Sequence, residues 1–184
     1  MTRFFDILFS LFGLVLLSPV LIVLIIIGYF DTGSPIFRQE RVGKCKQPFR
    51  LMKFRSMHLN APSVATHLAS ASSITPFGSF LRRSKLDELP QLWNVLVGDM
   101  SLVGPRPNLF NQEELIHERD SLGVYSIRPG ITGLAQINKI DMSTPQHLAE
   151  TDAKMIQELN TLGYFKYRFL TVFGKGCGDR IKKE

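Results

Sequence analysis

Apolar positions are unevenly spread along this chain. From Ile7 to Phe30 the sequence reads ILFSLFGLVLLSPVLIVLIIIGYF, 24 residues without a charged side chain. A run of that length passes the threshold for a membrane helix, and as one continuous helix it would reach roughly 36 Å. A secretory signal is shorter, with an apolar stretch of about 7–15 residues and a small-residue cleavage site. Here Asp31-Thr32-Gly33-Ser34-Pro35 follows instead, so the segment is expected to stay in the mature chain. Ser18-Pro19 falls near its middle, where proline removes a backbone hydrogen bond and clashes with the preceding turn. Two shapes satisfy the pattern. One is a kinked span. The other is a helix-break-helix hairpin that enters and leaves one leaflet, because halves of about 11–12 residues are too short to cross alone.

Past the run the periodicity changes. IFRQERVG after Pro35 and FRLMKFRSM after Pro48 alternate in part, predicting two strands around a polar loop from Gly43 to Pro48. Residues 60–75, NAPSVATHLASASSIT, lack a bulky apolar face and read as a loop or a small-residue helix. Leu89, Leu92, Trp93, Leu96 and Val97 recur at helical spacing until Gly98-Asp99. Ser101-Leu102-Val103 then leads into Gly104-Pro105-Arg106-Pro107, which cannot be regular helix. Residues 111–122 suggest a polar helix, and RPGITGLAQIN (128–138) a turn followed by a short strand-like run. Leu148, Asp152, Met155, Ile156 and Leu159 predict a helix from Pro145 to Leu162. In the tail, Tyr164, Phe165, Phe169, Val172 and Phe173 can share one face beside Lys166, Arg168 and Lys175. Such a helix either lies among lipid headgroups or packs on the body of the domain.

Composition narrows the function classes. The 184 residues make room for one ordinary domain, and 45% apolar with 21% charged residues is globular rather than disordered. The net charge is +6 and the pI near 9.5. Seven bases (Arg38, Arg41, Lys44, Lys46, Arg50, Lys53, Arg55) against one acid, Glu40, follow the apolar run closely. That places the body in the cytoplasm by the positive-inside rule, although Arg3 on the other flank asks for the same side. No nucleic-acid-binding module accompanies the bases, so topology explains them better. Cys45 and Cys177, with His58, His67, His117 and His147, show no metal or disulfide spacing.

The candidate chemistry lies in SKLDELPQLWN, residues 84–94, where Asp87 and Glu88 stand side by side in a basic chain. Ser84 followed three residues later by Asp87 is close to a capping box. Alternatively Pro90 opens the helix, which then begins at Leu89 or Pro90. Either way the two carboxylates sit near the positive end of a helix dipole. Arg82 and Arg83 precede them, and Arg106 sits in a backbone-restricted loop. Guanidinium groups suit phosphate oxygens. Carboxylates flanked by arginines suit Mg²⁺-assisted phosphoryl transfer, in which an oxygen can hold the metal or attack phosphorus.

The blocks FFDILFSLFGLVLLSP, PIFRQERVGKCKQPFRLMKFRSM, FLRRSKLDELPQLWNVLVGDMSLVGPRP and RPGITGLAQIN, in this order over residues 4–138, resemble the bacterial sugar transferase family, the monotopic phosphoglycosyl transferases. The resemblance implies transfer of a phospho-sugar from a UDP-sugar to a polyprenol phosphate, commonly undecaprenyl phosphate, with release of UMP. It implies an α+β fold: residues 1–32 as a re-entrant membrane helix broken at Ser18 and Pro19, and residues 33–184 as a cytosolic catalytic domain with an amphipathic, interfacial C-terminal segment. It implies a location on the cytoplasmic face of the bacterial inner membrane. By the same resemblance Asp87 is the nucleophile of a covalent phosphosugar intermediate. Glu88 assists at the metal or the acceptor proton, and Asp87 and Glu88 hold Mg²⁺. Arg106, Arg82, Arg83 and Arg128 bind phosphate. An N-acetylated amino sugar is the donor favoured by small members. Ser72-Ser73-Ile74-Thr75 and Asn138-Lys139-Ile140 depart from the family pattern, and beyond Asp152 the match weakens. The competing reading is a catalytically silent, membrane-anchored binder of nucleotide sugar or lipid phosphate that serves as an assembly partner.

Overall fold

The computed structural model describes residues 2–61 and 71–172. The 62–70 part of the segment read as loop or weak helix, with His67, and the tail residues Phe173, Lys175 and Cys177 lie outside them. The apolar run forms two helices, α1 (Thr2–Leu16) and α2 (Ser18–Thr32), bent by 64° at Leu17. The cause is local. Residue 19 would normally donate its amide to the Val15 carbonyl, but it is proline; the Ser18 hydroxyl supplies that bond instead, at 2.8 Å. Gly33, in the left-handed region at φ +72°, ends α2 and donates its amide to the Tyr29 carbonyl. No single helix among the described residues is long and apolar enough to cross a membrane.

The two predicted strands pair antiparallel as β1 (Ile36–Val42) and β2 (Pro48–Phe54), with Ile36 opposite Phe54 and Val42 opposite Pro48. A helix–turn–helix follows. α3 (Pro76–Ser84) is capped by the Thr75 hydroxyl, which accepts from the Gly78 amide at 2.8 Å. A single 3₁₀ turn, Leu86–Glu88, leads into α4 (Gln91–Val97), and Gly98 ends it in the left-handed region. β3 (Ser101–Val103) pairs parallel with β4 (Gly130–Thr132), and α5 (Glu113–Ser121) lies on the crossover between them.

α6 (Leu134–Ile137), α7 (Pro145–Glu158) and α8 (Thr161–Val172) complete the fold. Two predicted outlines change here. The strand-like run of RPGITGLAQIN is a strand only to Thr132 and then turns helical. The helix predicted to Leu162 stops at Glu158, and a separate helix starts at Thr161. Among the described residues the fold is a mixture of helices and two small two-stranded sheets, consistent with the α+β expectation.

The main core joins Phe49 and Leu51 of β2, Val95 of α4, Leu102 and Val103 of β3, and Met155, Tyr164 and Tyr167 from the last helices. Phe5 and Phe9 of α1 pack against it, so the apolar helix is built into the body. A second cluster sets Leu24 of α2 with Phe54 and Leu81, covered by Phe77, Leu86 and Leu89. Because Asn94 of α4 bonds to Arg50 and Met52 in the middle of β2 while Leu86 and Leu89 cluster with Phe54 at its end, β2 runs antiparallel to residues 86–97.

Candidate active site

Asp87 and Glu88 sit in the 3₁₀ turn between α3 and α4. The capping-box reading does not hold. Ser84 is the last residue of α3, and its hydroxyl donates back to the Phe80 carbonyl at 2.8 Å. Lys85 then takes a left-handed conformation, φ +58° and ψ +16°, at a cost of about 1–2 kcal/mol for a residue with a Cβ. That reversal separates the acidic turn from α3. Pro90 is the cap residue of α4, which begins at Gln91, one residue after the later of the two starts in the second sequence reading. Asp87 is 4% exposed. Glu88 faces outward enough to accept from Arg106 Nη2 at 2.9 Å, with side chains 15% and 24% exposed respectively.

Arg106 is held from behind. Every carbonyl from Pro105 to Asn108 accepts a hydrogen bond. Pro105 is bonded by the Gly130 amide (2.8 Å), Arg106 by Arg119 Nη1 (2.8 Å), Pro107 by Arg41 Nη1 (3.2 Å) and Asn108 by the Val42 amide (2.9 Å). Two prolines and four anchored carbonyls leave this loop little freedom. It also requires backbone contact with the RPGITG turn: a Cβ on Gly130 would stand 2.0 Å from the Gly104 nitrogen. Arg119 is itself buried against Asp152, with Nη2 2.7 Å from Oδ2, and a further bond runs from Nη1 to Asn108 Oδ1 at 2.9 Å. Burial pushes the Asp152 carboxyl above its ordinary range, the neighbouring Arg119 charge opposing that shift.

The other predicted arginines are scattered. Arg82, in the last turn of α3, donates through Nε to the buried Ser56 hydroxyl at 2.8 Å, and its Nη1 has no hydrogen-bond partner among the described residues. Arg83 is exposed. Arg128 lies at the opposite end of α4 from the acidic turn, where its Nε donates to the Gly98 carbonyl at 2.7 Å. Ser18 and Pro19 form the bend of the apolar pair.

The family's sequence profile, described as bacterial sugar transferase, matches residues 1–175. The chain belongs to the bacterial sugar transferase family. The match extends past Asp152, further than the blocks read from the sequence. Among curated relatives, a UDP-glucose:undecaprenyl-phosphate glucose-1-phosphate transferase of Escherichia coli (strain K12) is 38% identical over 91% of this chain and 38% of its own length. A putative undecaprenyl-phosphate N-acetylgalactosaminyl 1-phosphate transferase of Bacillus subtilis (strain 168) is 46% identical over 57% of this chain and 60% of its own. The exopolysaccharide production protein PSS of Rhizobium leguminosarum bv. phaseoli is 37% identical over 89% and 86%. The chain therefore spans only about a third of several longer relatives it matches, and most of a shorter one.

Two residues of this chain escaped the sequence reading. Arg119 looked like one charge of a polar helix; only its 1% exposure marks it. Lys53 counted among the topology-setting bases, yet it is 8% exposed and shares the inward face of β2 with Phe49 and Leu51. Since β2 runs antiparallel to residues 86–97, Lys53 lies toward the acidic turn. The alternation Phe49, Leu51, Lys53 was the available signal.

Proposed function

We propose that the chain is a phosphoglycosyl transferase that moves a sugar-1-phosphate from a UDP-sugar to polyprenol (undecaprenyl) phosphate and releases UMP. It would be a first membrane step of surface glycan assembly. The observation that carries this is a carboxylate pair in a fixed turn, facing one arginine on a fully anchored loop. The names of the relatives supply the substrate class.

In this reading an Asp87 carboxylate oxygen attacks the sugar-bearing phosphorus. A phosphorus–oxygen bond forms as the bond to UMP breaks, and UMP leaves with the electron pair. A phosphate oxygen of the lipid then attacks the same phosphorus, and Asp87 departs as a carboxylate. The cycle is ping-pong with one site. Arg106 can turn from Glu88 to the diphosphate, with Arg82 Nη1 and Lys53 adding positive charge. Glu88 is then free to take the acceptor's proton. Arg128 supports the site by fixing the far end of α4; Arg83, exposed on α3, is available to phosphate from solvent or lipid.

Mg²⁺ fits this donor set only in part. Among the described residues no three acidic, histidine or cysteine side chains cluster as a metal cage. Mg²⁺, however, is commonly held by one or two carboxylates with substrate phosphates, which Asp87 and Glu88 would supply. When bound it would neutralise diphosphate charge. The bent α1–α2 pair, exposing Phe4, Phe12, Val15, Leu16 and Phe30, supports a re-entrant insertion, and the basic run from Arg38 to Arg55 supports the cytoplasmic side. Exposed Leu162 and Phe169 on α8 support an interfacial C-terminal segment.

The test is incubation of purified protein with Mg²⁺ and a panel of UDP-sugars, N-acetylated amino sugars included, without acceptor. An intact-mass increase of one phosphosugar, absent in Asp87→Asn, is expected. No adduct and no UMP from any donor would favour the silent binder.

A further inference from the structure

Each arm of the bent apolar pair is seated on one arm of the helix–turn–helix that carries Asp87 and Glu88. α1 lies on α4. Arg3 donates through Nη1 to the Val95 carbonyl at 2.5 Å and through Nη2 to the Leu96 carbonyl at 3.0 Å, the last carbonyls of α4. A Cβ at Gly13 would come within 3.2 Å of Leu92. One turn on, Asp6 is buried, and its Oδ1 accepts from the Leu102 amide (2.9 Å), the Ser101 hydroxyl (3.1 Å) and the Tyr164 hydroxyl (2.8 Å). α2 lies on α3. Asp31 Oδ2 accepts from the Thr75 hydroxyl at 2.7 Å, the same group that caps α3, while Leu24 packs with Leu81 and Phe77.

The Asp31 and Arg3 attachments fall at the two outer ends of the α3–α4 elbow, the start of α3 and the end of α4, with the acidic turn as the vertex between them, while Asp6 ties α1 to β3, the strand that follows α4, and to Tyr164 of α8. The apolar pair has its own vertex at Ser18-Pro19. A carboxylate directly before an uncharged run of 24 residues is costly to bury unless its hydrogen bonds are met. Helix formation in α1 does not need one.

We propose that Arg3, Asp6 and Asp31 are positioning residues, clamping the elbow and the strand that follows it to the apolar pair so that the bend at Ser18-Pro19 sets where Asp87 stands relative to a bilayer-borne acceptor. The proposal rests on the transferase reading above. The nucleotide sugar reaches the site from water at any depth, whereas the lipid phosphate arrives at a fixed one. Loosening the clamp therefore weakens the acceptor half-reaction and spares the donor half-reaction.

The experiment uses the full chain in lipid nanodiscs with the variants Asp6→Leu, Asp6→Asn and Asp31→Ala. UMP release without acceptor and the KM for undecaprenyl phosphate are measured. The one tryptophan of the chain, Trp93 on α4 and half exposed, reports depth through quenching by lipids brominated near or far from the headgroup. Asp6→Leu and Asp31→Ala are expected to raise the acceptor KM by about tenfold, keep UMP release within about twofold, and shift the shallow-to-deep quenching ratio. Asp6→Asn, which keeps an acceptor oxygen, should retain most of the wild-type KM. Equal loss of both half-reactions with unchanged quenching would overturn the proposal, and so would an unchanged KM. Should Asp6→Leu fail to fold, Tyr164→Phe removes a single donor to Asp6 and carries the same expectations, at about threefold. A wild-type protein that releases no UMP would sink the transferase reading, while the quenching profiles would still decide the clamp.

Discussion

Arg106 with Glu88 and Arg119 with Asp152 are joined by one hydrogen bond, from Arg119 Nη1 to the Arg106 carbonyl, yet stand in opposite surroundings. The Arg119–Asp152 pair is sealed, with side chains 1% and 0% exposed, while Arg106 and Glu88 keep 24% and 15%. A sealed pair cannot exchange its partner, because separation would leave an uncompensated charge in the core. The half-open pair can, because an incoming anion replaces the carboxylate on the guanidinium. The same chemical pairing thus serves as a fastener in one place and, in the proposed reading, as a binding group in the other. A third pair, Lys46 with Asp120, has side chains 49% exposed on both partners and extends the comparison to the surface.

The largest expected effect belongs to the sealed pair. Asp152→Ala leaves the Arg119 charge buried alone and should cost about 3–5 kcal/mol of stability. For a chain of this size that is a fall in Tm of roughly 10 °C, measured by thermal unfolding in detergent. A fall of under about 2 °C would mean the pair is no fastener.

Arg106→Ala should do the reverse. Transfer is expected to drop by about a hundredfold or more, with Tm nearly unchanged since the loop carbonyls keep their donors. Steady-state UMP release and the same thermal scan separate the two; parallel losses would break the comparison.

A smaller effect is pH-dependent. Burial raises the folded-state pKa of Asp152 above its ordinary 3.8. The native chain then holds a proton that the unfolded chain has released. The group's contribution to stability is complete below pH 3.8 and is lost as pH rises through the raised folded value. Wild type should lose stability relative to Asp152→Asn over that rise, as urea unfolding at pH 4, 5 and 6 would reveal. A difference that stays flat with pH would contradict the sealed environment.

Smallest of all, Lys46→Ala should change stability by no more than about 1 kcal/mol, since solvent already screens that pair. Chemical denaturation midpoints check it.

The acidic turn and the anchored loop were legible to different degrees. DELP and GPRP stand out because adjacent carboxylates and paired prolines are local features. So did the Ser18-Pro19 break, since a missing amide acts within one turn. The misreading at Ser84 came from a rival local outcome. Its hydroxyl bonds backward to Phe80 as readily as forward, and the left-handed Lys85 decides the matter. RPGITGLAQIN was read as strand beyond Thr132 because short apolar runs do not distinguish strand from helix; packing of α6 against α7 made it helical.

By itself the sequence determined the family, the bend in the apolar run and the main elements, and it offered Asp87, Glu88 and Arg106 as candidates. Each is encoded within a few neighbouring positions, where sterics and missing hydrogen bonds act directly. Only the tertiary structure decided that Arg119 braces the Arg106 loop from 13 residues away, that Lys53 is buried, and that Asp6 is bonded to Tyr164 across 158 residues. Those roles come from burial and from partners distant in the chain. A charged side chain spells the same letter whether solvent or the core surrounds it.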